Sequence, residues 1–344
     1  MSYERQEAEA RLAQLWKRGT DYLGTEHAIL GGAMTWVSER NLVAAISNAG
    51  GFGVIASGGM PVHLLAEAIE ETRKRTDKPF GVNLITLRPD LDELIDCCKE
   101  HKVEHMVLAG GMPTGPSIAR IKDFGAKLMC FTPTVAFAKK LSRSGVDALV
   151  IEGNEAGGHI GPVSTAVLAQ EILPVIDQVP VFVAGGIGRG EAIASYLEMG
   201  AAGAQLGTRF VVAEECVAHE KFKKAFVSAK ARDAVESVGI DNRFPVIPVR
   251  ALKNEATEAF MKTQQEVVAE FNEGNLDPHD AQMKIEHFWG GALRRAVQDG
   301  DIDTGSVMAG QSVGMVKRVE PAADIISELV DQAIDFVGKG QKGP

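Results

Sequence analysis

A histidine that closes a glycine-rich stretch is the best candidate for proton chemistry in this chain of 344 residues. The stretch follows an apolar run and reads EGNEAGGH from Glu152 to His159. A neutral imidazole takes or gives a proton near neutral pH, because its ordinary pKa is about 6.5. The alternative is a structural histidine that binds a backbone carbonyl. We favour the chemical role for His159, because its place at a strand end lets the ring reach into a shared site.

Two later apolar runs end in glycine motifs that suit a phosphate group. One run ends in Gly185-Gly186, and the next ends in Gly207-Thr208. Glycines let backbone N–H groups approach phosphate oxygens, and a helix that starts there adds a favourable dipole. In the alternative interpretation these glycines only make turns. Because the two motifs end consecutive runs, the sequence predicts that together they bind phosphate.

Other reactive motifs fail on context or are missing. The stretch GFGVIA at 51–56 matches G-x-G-x-x-A, but it precedes a strand instead of opening a helix, so it does not indicate a dinucleotide site. No serine stands in G-x-S-x-G, and the loop that carries His159 has no cysteine nucleophile. That loop is too glycine-rich to fix metal-ligand geometry, so we expect no metal site. A phosphate-bearing cofactor would then supply the reactivity.

The element that would position these residues is a barrel. Short apolar runs recur at intervals of roughly 20–30 residues, separated by helical patterns, as in parallel strands covered by helices. Eight strands over about 200 residues indicate a (β/α)₈ TIM barrel, in which the active site lies at the carboxyl ends of the strands. A doubly wound sheet is the alternative. The predicted strands are 27–33, 53–56, 80–85, 105–109, 127–131, 148–151, 181–184 and 203–206.

After Phe210 the pattern changes to polar, Lys/Glu-rich helices. We therefore expect a barrel over residues 1–212, a small helical lobe over 213–304 inserted after strand eight, and a return segment with a closing helix over 305–344. The lobe would line the substrate pocket. Phe288 and Trp289 could form a homodimer contact, but we favour the core of the lobe for them.

Charge and composition exclude several classes of partner. Lys and Arg number 36 against 46 Asp and Glu, so the net charge is −10 and nucleic acid is not an expected ligand. No apolar run approaches the roughly 18 residues of a membrane span. The charged N-terminal stretch lacks an export signal, so we expect a cytoplasmic protein with its four cysteines reduced.

Several stretches closely resemble one family of FMN-dependent barrels, which includes nitronate monooxygenases (2-nitropropane dioxygenases) and flavin-dependent enoyl-ACP reductases. The resemblance covers nearly the whole chain. One departure is GGAM at 31–34, where the family usually has Q-G-G-M. The matching stretches are GGAMTWVS at 31–38, SNAGGFGVI at 47–55, KPFGVNL at 78–84, EGNEAGGHIG at 152–161, VFVAGGIGRG at 181–190, GAQLGTRFVVA at 203–213, VRALKN at 249–254 and GDIDTGSVMAGQSVG at 300–314.

The resemblance implies FMN as the cofactor. Its phosphate would lie on the two glycine motifs, and residues 308–312, which include Gln311, would close over the flavin. His159 would face the flavin ring as the catalytic acid or base, or would orient the substrate. The remaining implied cofactor contacts are Ala33, Met34, Asn83, Glu152, Gly158 and Gln205.

Two activities of this family compete. As a nitronate monooxygenase, the protein would oxidise alkyl nitronates with O₂ to a carbonyl compound and nitrite. As a flavin reductase, it would use NADH or NADPH to reduce an enoyl thioester or a quinone. The stretches at 249–254 and 300–314 look like the enoyl reductases, and the lobe lacks the tyrosines of well-studied nitronate monooxygenases. We favour nitronate oxidation, because it is the broader activity of the family.

Overall fold

Eight parallel strands form one continuous sheet in the computed structural model, which describes residues 3–339. Their order is β1-β9-β8-β6-β5-β4-β3-β2. Gly31 N–H donates to Phe52 O at 2.9 Å and Phe52 N–H to Ile29 O at 2.9 Å, so the first and second strands also meet and the sheet closes. The predicted (β/α)₈ barrel is thus confirmed and the doubly wound sheet was wrong. The strands are β1 (Ile29–Gly31), β2 (Gly53–Ala56), β3 (Phe80–Ile85), β4 (His105–Ala109), β5 (Lys127–Phe131), β6 (Ala148–Glu152), β8 (Val181–Ala184) and β9 (Gly203–Leu206), while β7 (Gly158–His159) belongs to a second sheet.

Helices surround the barrel and bury its apolar strands. Glycines in the left-handed region follow several of them, as the sequence predicts for Gly50, Gly125, Gly145 and Gly200. The helices of this part are α1 (Tyr3–Leu15), α2 (Lys17–Leu23), α3 (Arg40–Asn48), α4 (Val62–Arg73), α5 (Leu91–Glu100), α6 (Gly115–Asp123), α7 (Val135–Ser142), α8 (Thr165–Ile172), α9 (Gly190–Glu198) and α10 (Thr208–Val211).

The second lobe contains a small sheet that the sequence analysis missed. Its strand order is β10-β11-β7, so the strand that carries His159 completes it. Strands of two to four residues leave too few alternating positions to give a periodic signal. The lobe boundaries at 212 and 304 stay a prediction. The remaining elements are α11 (Glu220–Ser228), β10 (Ala234–Glu236), β11 (Val249–Leu252), α12 (Glu255–Asn272), α13 (Pro278–Arg294), a π-helical turn (Arg295–Asp299) and α14 (Ala322–Lys339), with 3₁₀ turns at Leu173–Val175, Ala231–Asp233 and Gln311–Met315.

The lobe has its own apolar core. Trp289 is buried, and its ring centroid lies 4.4 Å from that of Phe260 and 5.1 Å from that of Phe288. Both rings therefore pack in the core of the lobe, which is the interpretation that the sequence analysis favours.

The four cysteines form no disulfide and are buried. Within residues 3–339, no helix has the length and apolar character needed to cross a bilayer.

A buried arginine holds the closing helix α14 against the end of β9. The Arg209 side chain is only 3% exposed, and its Nη2 lies 2.7 Å from Glu328 Oε2 and 3.6 Å from Glu320 Oε1. Glu320 is itself buried and also pairs with Arg318 at 2.6 Å. Because the Arg209 and Glu320 charges lie inside the protein, each of the two depends on its partners to offset the loss of water.

Replacing Arg209 with Met should lower the free energy of unfolding by about 3 kcal/mol, because Glu320 would keep a buried charge with only the exposed Arg318 as partner. Urea denaturation followed by circular dichroism measures the change. Arg189→Met is the matched control, since Arg189 and its partner Glu191 are exposed and such pairs contribute about 1 kcal/mol or less. Equal losses in the two variants would contradict this account of α14.

Candidate active site

The loop after β6 is held at the barrel mouth by one of its own carboxylates. Glu155 Oε2 accepts hydrogen bonds from Thr165 N–H at 2.9 Å and from Thr165 Oγ1 at 2.8 Å, at the start of α8. Gly153 N–H donates to Ala184 O at 3.1 Å. The loop between Glu152 and His159 is therefore tied to the neighbouring strand and helix on the barrel side.

The same loop is tied to the lobe. His159 pairs with Val249, and Gly158 pairs with Arg250, in the antiparallel contact of β7 with β11. The buried Arg250 donates from Nε to Asn154 O at 2.8 Å and from Nη1 to Ala234 O at 2.8 Å. The backbone that carries His159 is therefore fixed by the lobe, while its side chain stays 53% exposed.

The glycine pair after β8 allows close approach of the backbone. Gly185 has φ 95° and Gly186 has φ 70°, which residues with a side chain rarely adopt. A Cβ on Gly186 would lie 2.9 Å from Glu155 Cβ. A cavity of about 220 Å³ opens beside this pair, and His159 does not line it. Its walls are formed by Glu155, Gly185, Gly186, Ile187, Ala192, Tyr196, Gln311, Ser312 and Met315.

The return segment after the lobe covers the ends of β6 and β9. Gly310 N–H donates to Thr208 Oγ1 at 3.0 Å, and Gln311 N–H donates to Glu155 O at 2.9 Å. A Cβ on Gly158 would lie 3.6 Å from Met308 Sδ. Residues 308–311 thus join the two glycine motifs and the His159 loop into one site.

The loop after β1 reaches the same place. Met34 Sδ would lie 3.3 Å from a Cβ on Gly207. Ser38 Oγ, which directly precedes the helical pattern of α3, does not cap that helix, since it donates to Gly32 O at 2.7 Å and accepts from Met34 N–H at 3.0 Å. The cap is Glu39, whose carboxylate reaches the first N–H groups of the helix. Ala33 lies in this loop, partly buried beside Met34.

Polar side chains inside the mouth have few protein partners. Gln205 is 7% exposed, and its amide makes no hydrogen bond with any residue in the described range 3–339. Asn83, on β3, uses Nδ2 to donate to Val107 O at 3.3 Å, which leaves its Oδ1 free of protein donors in that range. These amide groups are therefore available to bind a ligand in the mouth of the barrel.

Glu152 is the most perturbed acid of the site. Burial raises the pKa of its carboxyl to about 7. The residue as a whole keeps partial contact with solvent, and no counter-charge or hydrogen-bond donor among the described residues reaches the carboxyl. The acid can therefore hold a proton at neutral pH and donate it to a ligand.

These residues fit a flavin mononucleotide. The left-handed glycines after β8 border the cavity of about 220 Å³, the glycine cradle, which has room for a phosphate group. The amide of Gln205 and the Oδ1 of Asn83 have no protein partner among residues 3–339 and can bind further polar groups. Because β3 lies across the barrel from β8 and β9, the contacts implied by the family span the mouth. Fold and site define a class, the flavin-dependent barrel oxidoreductases.

Comparison with known proteins makes the assignment more specific. A sequence model of the nitronate monooxygenase family matches residues 17–104 and 92–332, so the chain belongs to that family. A nitronate monooxygenase of Paraburkholderia phytofirmans is 28% identical over 89% of this chain and 92% of its own. The (3aS,4S,5R,7aS)-5-hydroxy-7a-methyl-1-oxo-octahydro-1H-indene-4-carboxyl-CoA dehydrogenase of Mycobacterium tuberculosis is 28% identical, with 92% of this chain and 95% of that protein covered. The structure of FabK from Thermotoga maritima has 36% identity and a TM-score of 0.84, with 94% of this chain and 98% of that chain covered.

Sequence reasoning missed two residues that build the site. Glu155 acts on Thr165, ten positions later, and Arg250 acts on Asn154 from the other lobe. Both lie in stretches that we quoted for the resemblance, EGNEAGGHIG and VRALKN. Their role depends on contacts between distant segments, which spacing along the chain does not reveal.

Replacing Gly186 with Ala should weaken FMN binding at least about tenfold, because the added Cβ meets Glu155 and the left-handed backbone becomes strained by about 1–2 kcal/mol. Fluorescence titration of FMN-free protein measures the dissociation constant. Gly125→Ala is the matched control, since Gly125 has φ 83° but open space around its Cβ. If both variants bind FMN equally well, Gly186 does not form part of the cradle.

Replacing Glu152 with Gln should flatten the pH dependence of stability in FMN-free protein. The folded pKa of about 7 lies above the ordinary 4.5, so the folded state keeps a proton that the unfolded chain releases. Stability therefore falls as pH rises between these values, by about 3 kcal/mol in wild type. Urea unfolding at pH 5 and pH 8 tests this, with the exposed Glu67→Gln as control. A Glu152→Gln protein that keeps the wild-type decline would contradict the assignment.

Proposed function

We propose that this protein uses FMN to oxidise alkyl nitronates, with O₂ as the final oxidant and a carbonyl compound and nitrite as products. FMN, when bound, would supply the electron-accepting chemistry. The observation that carries the proposal is the placement of His159. Its backbone is fixed by β11 and its imidazole is half exposed at the mouth, beside the predicted flavin site.

The chain's own residues have separate tasks in this proposal. Gly185, Gly186, Gly207 and Thr208 would hold the phosphate end of FMN, and Gln205 and Asn83 would bind its polar groups. The His159 imidazole would donate a hydrogen bond to the nitronate oxygens, or would remove the α-proton of a neutral nitroalkane. The return segment at 308–312 would exclude water from the cofactor.

A second candidate is the NADH- or NADPH-dependent reduction of an enoyl thioester or quinone. The observation in its favour is the identity of 36% with FabK, together with the similarity to a carboxyl-CoA dehydrogenase. In this case the nicotinamide would reduce FMN, and His159 would assist proton transfer to the substrate.

Anaerobic stopped-flow spectroscopy distinguishes the two candidates. We expect the absorbance near 450 nm to bleach within seconds on mixing with ethyl nitronate or propionate-3-nitronate. NADH and NADPH, tested in parallel, should bleach it far more slowly. The result would favour the reductase if NADH or NADPH alone bleaches the flavin and the flavin stays oxidised after it is mixed with a nitronate. A protein that stays colourless after incubation with FMN would contradict both.

Replacing His159 with Asn should lower kcat/KM for a nitronate by about 10²–10⁴, the usual contribution of a positioned acid or base. FMN content should stay unchanged, because His159 does not line the cavity beside the glycine pair. His63→Asn, in an exposed position of α4, is the control and should keep wild-type kinetics. Unchanged turnover of His159→Asn on every candidate substrate would exclude a role in catalysis.

A further inference from the structure

A carboxylate of the lobe faces the imidazole of His159. Glu286 lies on α13, and its Oε2 is 3.9 Å from His159 Nε2. The Glu286 side chain is 23% exposed against 53% for His159, so the carboxylate is the more protected partner. At this distance the two groups form an ion pair when the imidazole is charged, and a small shift brings them to hydrogen-bond length.

Glu286 is fixed independently of the histidine. Its Oε1 accepts the N–H of Ile247 at 3.2 Å, in the loop that leads to β11. Its neighbour Ile285 and Trp289, one turn further along α13, are buried in the core of the lobe. The carboxylate therefore belongs to a rigid part of the lobe, although it acts on a residue of the barrel loop.

The local charges keep Glu286 ionised. The His159 imidazole is the main cause of a lowered pKa of Glu286, and the Ile247 N–H adds to the effect. An ionised carboxylate accepts hydrogen bonds and cannot donate one. The carboxylate therefore favours the tautomer in which the imidazole nitrogen that faces it carries the hydrogen.

We infer that Glu286 is a positioning residue, which holds the Nε2–H of His159 toward the lobe and leaves Nδ1 as the nitrogen that exchanges a proton with the substrate. The β7–β11 pairing fixes only the backbone of His159, so ring orientation and tautomer need a further contact. The inference rests on the proposed role of His159. It assigns to the lobe a part in the chemistry besides lining a pocket.

Two substitutions of Glu286 separate positioning from simple packing. Glu286→Gln keeps the shape of the side chain, but its amide can donate to Nε2 and so favours the wrong tautomer. Glu286→Ala removes the contact without this bias. We expect kcat for a neutral nitroalkane, whose α-proton the unprotonated Nδ1 would remove, to fall about tenfold or more in the Gln variant, at least as far as in the Ala variant, with KM changed less than threefold. If the residue only packs, the Gln variant is the milder one, and that order would overturn the inference.

The imidazole ¹⁵N chemical shifts of ¹⁵N-histidine-labelled holoenzyme provide a readout that needs no substrate. The resonances of His159 are those lost in the His159→Asn protein. We expect wild type to show a protonated Nε2 and an unprotonated Nδ1, and the Gln variant to lose this pattern. Identical patterns in wild type and the Gln variant would overturn the inference.

Glu270→Gln is the matched control. Glu270 is a carboxylate of α12 whose partner is Lys284 at 2.7 Å, so its loss removes a lobe charge without touching His159. Both kcat and the His159 shifts should stay at wild-type values. A wild-type protein that leaves nitronates unreacted would refute the proposed function, while the nitrogen shifts would still decide the role of Glu286.

Discussion

The antiparallel contact of β7 with β11 is the constraint on which the site depends. It takes a glycine-rich loop, which has little preferred structure of its own, and makes it one strand of a sheet that belongs to the lobe. Arg250 strengthens the contact by binding Asn154 O and Ala234 O from a buried position. Since Glu155 ties the same loop to α8, the backbone of His159 is held from both sides.

The mouth of the barrel is built around polar groups that the described protein does not satisfy. Gln205 and Glu152 have no hydrogen-bond partners within the described range, and a Cβ on either glycine after β8 would meet the loop that follows β6. Such groups lower the stability of the folded chain by itself, because buried polar atoms lose water without replacement. A ligand whose polar groups bind these side chains would offset this loss and would couple cofactor binding to stability.

The relation between barrel and lobe explains how one fold serves different substrates. The barrel carries the predicted cofactor contacts, whereas the lobe supplies Arg250, which binds the His159 loop, and Glu286, which faces the imidazole. Variation in the lobe can then change the substrate while the flavin chemistry stays the same. This division agrees with a family whose relatives include both a nitronate monooxygenase and a carboxyl-CoA dehydrogenase.

The sequence by itself determined the barrel, because continuous apolar runs and glycine stops are local signals that each strand and helix carries within a few residues. It also singled out His159 and the glycine motifs after β8 and β9, since these lie at the ends of recognisable strands. The cap at Glu39 and the sheet that holds His159 escaped it. Only the tertiary structure decided that Glu155, Arg250 and Glu286 meet the His159 loop, because their partners are 10, 96 and 127 positions away. Contacts between segments so far apart depend on how the lobe packs on the barrel, and no local pattern encodes that packing.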